Sequence, residues 1–236
     1  MNHFNIKVIT YNCPGYFDID KFEFDLFFIQ RCPESMPNKI RHDTNYKTSY
    51  IRNYMDPDDS ERDPCGICIV SKDWDFSEFT VEQGEFKNFI SDPEKEQGRY
   101  WQKLNINTSY GTRTIINCLP SFPNSEYNAP GTVVPKEIYI SQASELLDMI
   151  NDTTILVGDF HNKDSNLNDK LNLDKRNLYN YIKEGTFTMD DAYLTSIDKI
   201  ITTKNSDIKI SNVTVIKYNR DQLVGHWPIS FNVSWN

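Results

Sequence analysis

The sequence predicts one α+β domain, made mostly of strands with a few helices laid over them. Three observations carry this. Apolar, β-branched runs of strand length recur along the whole chain. Clear helical periodicity is confined to one long segment. No repeat, low-complexity linker or composition shift divides residues 1–236.

The elements follow in order. Residues 5–11 set Ile6 and Val8 against Lys7, the alternation of a half-buried strand. Residues 26–30 are a continuous apolar run that ends in Gln30, the mark of a strand buried on both faces. Residues 66–70, 100–106 and 112–118 read as further strands. In residues 136–151, Ile138, Ile140, Ala143, Leu146, Leu147 and Ile150 share one helical face. A second helix is expected over residues 175–183, and strands over 154–159, 199–203, 208–216 and 229–233. Residues 54–64, 122–135 and 161–168 are rich in Asp, Pro, Asn and Gly, or lack periodicity, and read as exposed loops.

The chain carries 25 Lys and Arg against 34 Asp and Glu, a formal net charge of −9. Such a surface excludes broad, non-specific nucleic-acid binding but leaves room for a local basic cleft. No stretch approaches the ~20 apolar residues that span a bilayer. The first residues lack the charged and apolar regions of a signal peptide. Cys13, Cys32, Cys65, Cys68 and Cys118 form an odd, scattered set, so a soluble intracellular protein with reduced thiols is expected. Cys65 and Cys68 have CxxC spacing. A zinc site there would need Cys13 and Cys32, and buried structural thiols are the expected reading.

The most informative segment is Ile155-Leu156-Val157-Gly158-Asp159. A carboxylate where a buried strand surfaces is costly unless something pairs with it or uses it. Strand ends of this kind are where layered folds place their chemistry.

Several segments, taken in order, resemble the endonuclease/exonuclease/phosphatase superfamily, the DNase I-like proteins. They are Ile9-Thr10-Tyr11-Asn12, the strand ending in Ile29-Gln30-Arg31, and Gly66-Ile67-Cys68-Ile69-Val70. Gln97-Gly98-Arg99, Ile116-Asn117-Cys118-Leu119 and Gly158-Asp159-Phe160-His161 follow. Ser196-Ile197-Asp198 and Gly225-His226-Trp227-Pro228 complete the series. The resemblance implies a four-layer α/β/β/α sandwich. It also implies a Mg²⁺-dependent site acting on phosphoric esters, with an aspartate on the attacking water and a histidine on the phosphate.

At the chemistry the match is broken. Arg31 stands where the resemblance implies a metal-binding Glu, Cys118 where it implies a His, His161 for an Asn and Gly225 for an Asp. Asn12, Asp159, Asp198 and His226 remain as the catalytic remnants. Their expected state is a set of polar groups paired with Arg31 or with backbone, with no metal bound. Were the site active, Asn12, Glu34 and Asp198 would hold Mg²⁺, and Arg99 would contact phosphate or brace the sheet. The resulting expectation is a catalytically degenerate binding or structural component that contacts a protein, RNA or DNA through its surface loops. The alternative is a divergent Mg²⁺-dependent phosphodiesterase or phosphatase with a rearranged metal site.

Overall fold

The computed structural model describes residues 4–13, 15–54, 65–72, 79–87, 100–121, 136–160, 171–189, 193–195, 197–217 and 225–235. In chain order the first elements are β1 (Phe4–Asn12), β2 (Leu26–Pro33), α1 (Met36–Asp43), β3 (Lys47–Tyr54), β4 (Cys65–Ser71), β5 (Phe79–Glu85), β6 (Tyr100–Thr108), β7 (Gly111–Cys118) and α2 (Lys136–Asp148). Then follow β8 (Thr154–Asp159), β9 (Leu178–Asn180), β10 (Phe187–Met189), β11 (Tyr193–Thr195), β12 (Asp198–Thr203), β13 (Ile208–Val215), β14 (Gly225–His226) and β15 (Ile229–Trp235).

These strands build two six-stranded sheets, ordered β13-β15-β1-β2-β4-β3 and β5-β6-β7-β8-β12-β9, and a small sheet β11-β10-β14. The sequence pattern explains who sits where. The unbroken apolar runs of β2, β4 and β8 are buried on both faces, as interior strands must be. In β15 the buried residues Ile229, Phe231, Val233 and Trp235 alternate with partly exposed ones. The sheets pack face to face through Val8, Leu26 and Phe28 on one side and Leu104, Ile155 and Val157 on the other. Outside the first sheet, Met36 and Ile40 of α1 cover Ile29 and Cys68. Outside the second, Tyr139, Ala143 and Leu146 of α2 cover Ile116 and Leu156. The result is the four-layer α/β/β/α sandwich. Each of the Val, Leu, Ile, Phe and Met side chains among these contributes about 1.5–3 kcal/mol by burial relative to exposure.

The helix expected over 175–183 does not form. Asn172 and Asn177 take left-handed φ values of 51° and 57°, and residues 178–180 instead pair with β12 as β9. Leu178 and Ile182 have helical spacing, but they serve different cores, one under α2 and one between the sheets. Pairing with a buried strand outweighs a weak local helical preference. Of the loops expected at residues 54–64, 122–135 and 161–168, Tyr54 instead ends β3, and the rest lies outside the described residues. Among the described residues no helix is long and apolar enough to cross a membrane.

A buried polar bridge ties the two sheets together. The Gln30 amide donates to Asn117 Oδ1 at 2.7 Å and to Thr10 Oγ1 at 3.0 Å. Asn117 Nδ2 returns donors to the carbonyls of Ile29 and Cys68. Because the low-dielectric interior strengthens satisfied bonds, this bridge fixes how the sheets register.

Burial pushes the Cys32 and Cys118 thiols and the Tyr50 and Tyr139 phenols up from their usual values, and Asp159 adds to the effect on Cys118 and Tyr139. Burial moves Lys199 down. Unfolded thiols and phenols release protons from about pH 8.5 and 10, whereas the folded ones hold them. Their contribution is therefore complete below those values and is lost as pH rises. Lys199 acts in the opposite sense, but alone against the four acids. The urea midpoint of unfolding is expected to fall between about pH 8 and 10, less steeply in Cys118→Ala. A midpoint that stays flat over that range contradicts the assignment.

Candidate active site

β8 and β12 run antiparallel with Asp159 directly opposite Asp198. Residues so placed share one face of the sheet, their Cβ atoms ~5 Å apart, and like charges there repel. Both carboxylates are buried, Asp159 with 0% and Asp198 with 3% of its surface exposed. Two buried anions at this separation need a cation or a proton.

His226, the end of β14, supplies that group. Its Nδ1 lies 3.0 and 3.2 Å from the Asp198 oxygens, and its Nε2 lies 3.5 Å from Asp159 Oδ2. Asn12, the last residue of β1, closes the chain of contacts. Its Nδ2 donates to Asp159 Oδ2 at 2.5 Å and sits 3.1 Å from His226 Nε2. With Nδ1–H donating to Asp198, a neutral Nε2 accepts from Asn12; the 3.5 Å approach of Nε2 to Asp159 Oδ2 becomes an ion pair when the imidazole is protonated. Asn12 Oδ1 is then buried without a hydrogen-bond partner.

Local structure explains why these four groups meet. Gly158, at φ 154°, lets β8 pass flush against Cys118 of β7. Just beyond Asp159, Phe160 N donates to Ile197 O at 3.0 Å, and Tyr139 Oη donates to Phe160 O at 2.5 Å. Asp198 N–H donates to Thr186 Oγ1 at 3.2 Å. His226 pairs with Phe187 of β10, and the next amide, Trp227 N–H, donates to Thr186 O at 2.7 Å.

Burial pushes the Asp198 carboxyl up, opposed by His226, while repulsion from Asp159 adds to the rise. Burial alone would lower His226, but Asp198 and Asp159 outweigh it and hold the imidazole above its usual value. Both shifts have one meaning: the Asp198–His226 pair keeps its proton to higher pH than a free imidazole.

The structure thus brings together Asn12, Asp159, Asp198 and His226 as one hydrogen-bonded set. The ion pairs described for the two aspartates run to His226, where the sequence suggested Arg31. Arg31 itself is half-buried on a bulge of β2 with a left-handed φ of 55°, and its positive charge acts on His226, opposing protonation. Asp198 meets the Nδ1 side of His226 at 3.0 Å and is not beside Glu34. Glu34 instead accepts from Arg52, with Nε at 3.1 Å and Nη2 at 2.5 Å. Cys118 is fully buried, its Sγ 3.5 Å from Val157 O. Gly225 lies on β14 at φ 151°. Arg99 and His161 lie outside the described residues. Among the described residues, the group able to hold a cation is Asp159, Asp198 and His226, and the cysteines form none. Sequence reasoning missed the Gln30–Asn117 bridge and the Tyr139 and Thr186 supports. A polar residue inside an otherwise apolar strand was the available signal for the bridge.

No protein-family model and no curated protein sequence matches the chain. Solved structures do. An endonuclease/exonuclease/phosphatase from Beutenbergia cavernae superposes with a TM-score of 0.70 at 14% identity, over 98% of this chain and 72% of that one. The mannosyl-6-phosphatase of Bacteroides thetaiotaomicron gives 0.62 at 15% identity, over 97% and 99% of the two chains. The human Nocturnin catalytic domain with a bound sulfate anion gives 0.65 at 10%, over 100% and 97%. The chain has the endonuclease/exonuclease/phosphatase, DNase I-like, fold.

The Mg²⁺ that the fold implies does not fit in its expected place. Mg²⁺ wants near-octahedral oxygen ligands. Here a guanidinium occupies the second-strand position, Gly225 offers no side chain, and the remaining set includes an imidazole.

Proposed function

We propose that the chain is a phosphoric ester hydrolase whose centre is Asn12, Asp159, Asp198 and His226. One observation supports this reading above the others. Four polar residues from separate strands converge in a buried chain of contacts that runs Asp198–His226–Asn12–Asp159. The mannosyl-6-phosphatase activity named for one structural neighbour belongs to the same class.

In this reading Asp198 positions the imidazole by accepting from Nδ1–H. Asn12 orients Asp159. The Asp159 carboxylate takes the proton from the attacking water as its oxygen attacks phosphorus and hands it to His226 Nε2, 3.5 Å away. The P–O ester bond breaks, and the leaving oxygen collects a proton from the imidazolium. Arg31 supplies a positive charge at the rim that suits a phosphate, since a guanidinium matches its oxygens in pairs.

A second reading, a binding component that has lost catalysis, is favoured by Arg31 and Cys118 at positions where the resemblance implies Glu and His. The deciding experiment follows hydrolysis of p-nitrophenyl phosphate, bis(p-nitrophenyl) phosphate and single- and double-stranded nucleic acid, with no added metal and with Mg²⁺, Mn²⁺ or Zn²⁺. Turnover of at least one ester above background is expected. No turnover of any of them under any of these conditions supports the binding component instead.

A further inference from the structure

We propose that Arg31 stands in for a metal ion at this centre: its guanidinium holds the phosphate of the ester, and the chain binds and cleaves that ester with a chelator present. The proposal deepens the hydrolase reading above and rests on it.

Position is the first argument. β1 and β2 run parallel with Asn12 beside Gln30, so Arg31 is the next residue beyond the partner of a site residue. Across β4, Gln30 faces Ile67 and Cys32 faces Gly66, which makes Arg31 the inserted residue of a bulge. Ile29 and Cys32 share one apolar cluster under α1, while Gln30 reaches between the sheets to Asn117. In a regular strand residues 29 and 32 would lie on opposite faces. The bulge absorbs that mismatch and re-aims Arg31, whose charge acts on His226.

Strain is the second argument. Arg31 holds a left-handed φ of 55°, which glycine adopts freely and side-chain-bearing residues do not. Such strain persists where the surroundings impose it, and it gathers at working sites.

Charge is the third argument. His226 and Lys199 both interact with Asp159 and Asp198, so the two carboxylates have basic partners within the chain. Arg31 opposes protonation of His226, and the same charge repels a divalent cation beside the imidazole. A phosphate is drawn to it instead. The guanidinium can donate two parallel N–H bonds to two oxygens of one phosphate. Those oxygens gain charge as water attacks, so the pairing is strongest in the transition state. Water's oxygen bonds to phosphorus, and its proton moves through Asp159 and His226 to the leaving oxygen. Atoms and charge then balance without a further ion.

The test uses full-length protein in excess EDTA. Inorganic phosphate is the binding probe by calorimetry, and bis(p-nitrophenyl) phosphate is the substrate. Both binding and turnover are expected to be unchanged by the chelator. Arg31→Gly removes the guanidinium at a φ that suits glycine, so the fold is expected to stand, as circular dichroism would show. That variant should bind phosphate ~10-fold or more weakly and lose ~10²–10³-fold in kcat/KM. Millimolar guanidinium ion should restore part of the loss and leave wild type unchanged, a rescue that a merely structural arginine would not show. Arg31→Lys keeps the charge without the fork and should fall between the two. An Arg31→Gly protein equal to wild type in both readouts overturns the proposal. Turnover that vanishes in EDTA and returns with a divalent cation overturns it too, and keeps the hydrolase reading. Arg31-dependent phosphate binding in EDTA without any turnover retires the hydrolase reading and keeps the anion site.

Discussion

Replacing His226 with alanine is expected to lower kcat for ester hydrolysis by ~10³-fold, about 4 kcal/mol of transition-state stabilisation. The imidazole touches both carboxylates, at 3.0 Å from Asp198 and 3.5 Å from Asp159. Removing it takes away a proton carrier and leaves two buried anions facing each other. Asp198→Asn should lower kcat by ~10²-fold or more, because an amide no longer holds the Nδ1–H tautomer. Asp198 acts through His226, so the two losses do not add. The double variant should be no slower than His226→Ala alone. Additive losses would show that Asp198 touches the reaction independently. Circular dichroism of each variant separates lost chemistry from lost fold.

The largest effect on stability is expected at Gly158. An added Cβ would lie 2.2 Å from the backbone oxygen of Cys118 and 2.8 Å from its Sγ. The φ of 154° is also one that side-chain-bearing residues rarely adopt. The obstructing oxygen belongs to β7, an interior strand held by β6 and β8, so it has little room to retreat. Gly158→Ala should cost ~4 kcal/mol, at the high end for a single substitution. For a chain of this size that lowers Tm by ~10 °C. Adding Cys118→Ala removes the sulfur but not the carbonyl, so it should restore only a minor part. Full restoration would place the strain at the thiol. Asp159 is the next residue, so any folded fraction of the variant should also hydrolyse ester more slowly.

Much of this architecture was legible in the sequence because interior strands announce themselves. The apolar runs of β2, β4 and β8 and the alternation in β15 need no tertiary information. Elements whose identity depends on a neighbour were harder to read. β3 is a largely polar edge strand, defined by its pairing with β4. α1 opens on Met36-Pro37-Asn38 with little apolar periodicity. Residues 175–183 carry a helical spacing that pairing with β12 overrides. The same division holds at the site. Asn12, Asp159, Asp198 and His226 were identifiable as residues, each at the end of a strand or beside one. Who touches whom was not. That depends on the register placing Asp159 opposite Asp198 and on the β10–β14 pairing that brings His226 between them. Arg31 in sequence looked like a partner for the acids; the ion pairs described for them run to His226, and Arg31 sits on the bulge in β2.

In the proposed function this buried set is a working hydrolytic centre despite Arg31, Cys118 and Gly225. The measurement that tests it most directly is the rate of p-nitrophenol release from bis(p-nitrophenyl) phosphate. Wild type and Asp159→Asn would be prepared in parallel and assayed with and without Zn²⁺ or Mn²⁺. Asp159→Asn keeps the shape and can still bond to Asn12, but it removes the carboxylate lone pair that takes a proton. The account predicts measurable turnover by wild type and a loss of ~10²–10³-fold in the variant. Equal rates in the two proteins, whether at background or above it, would contradict it.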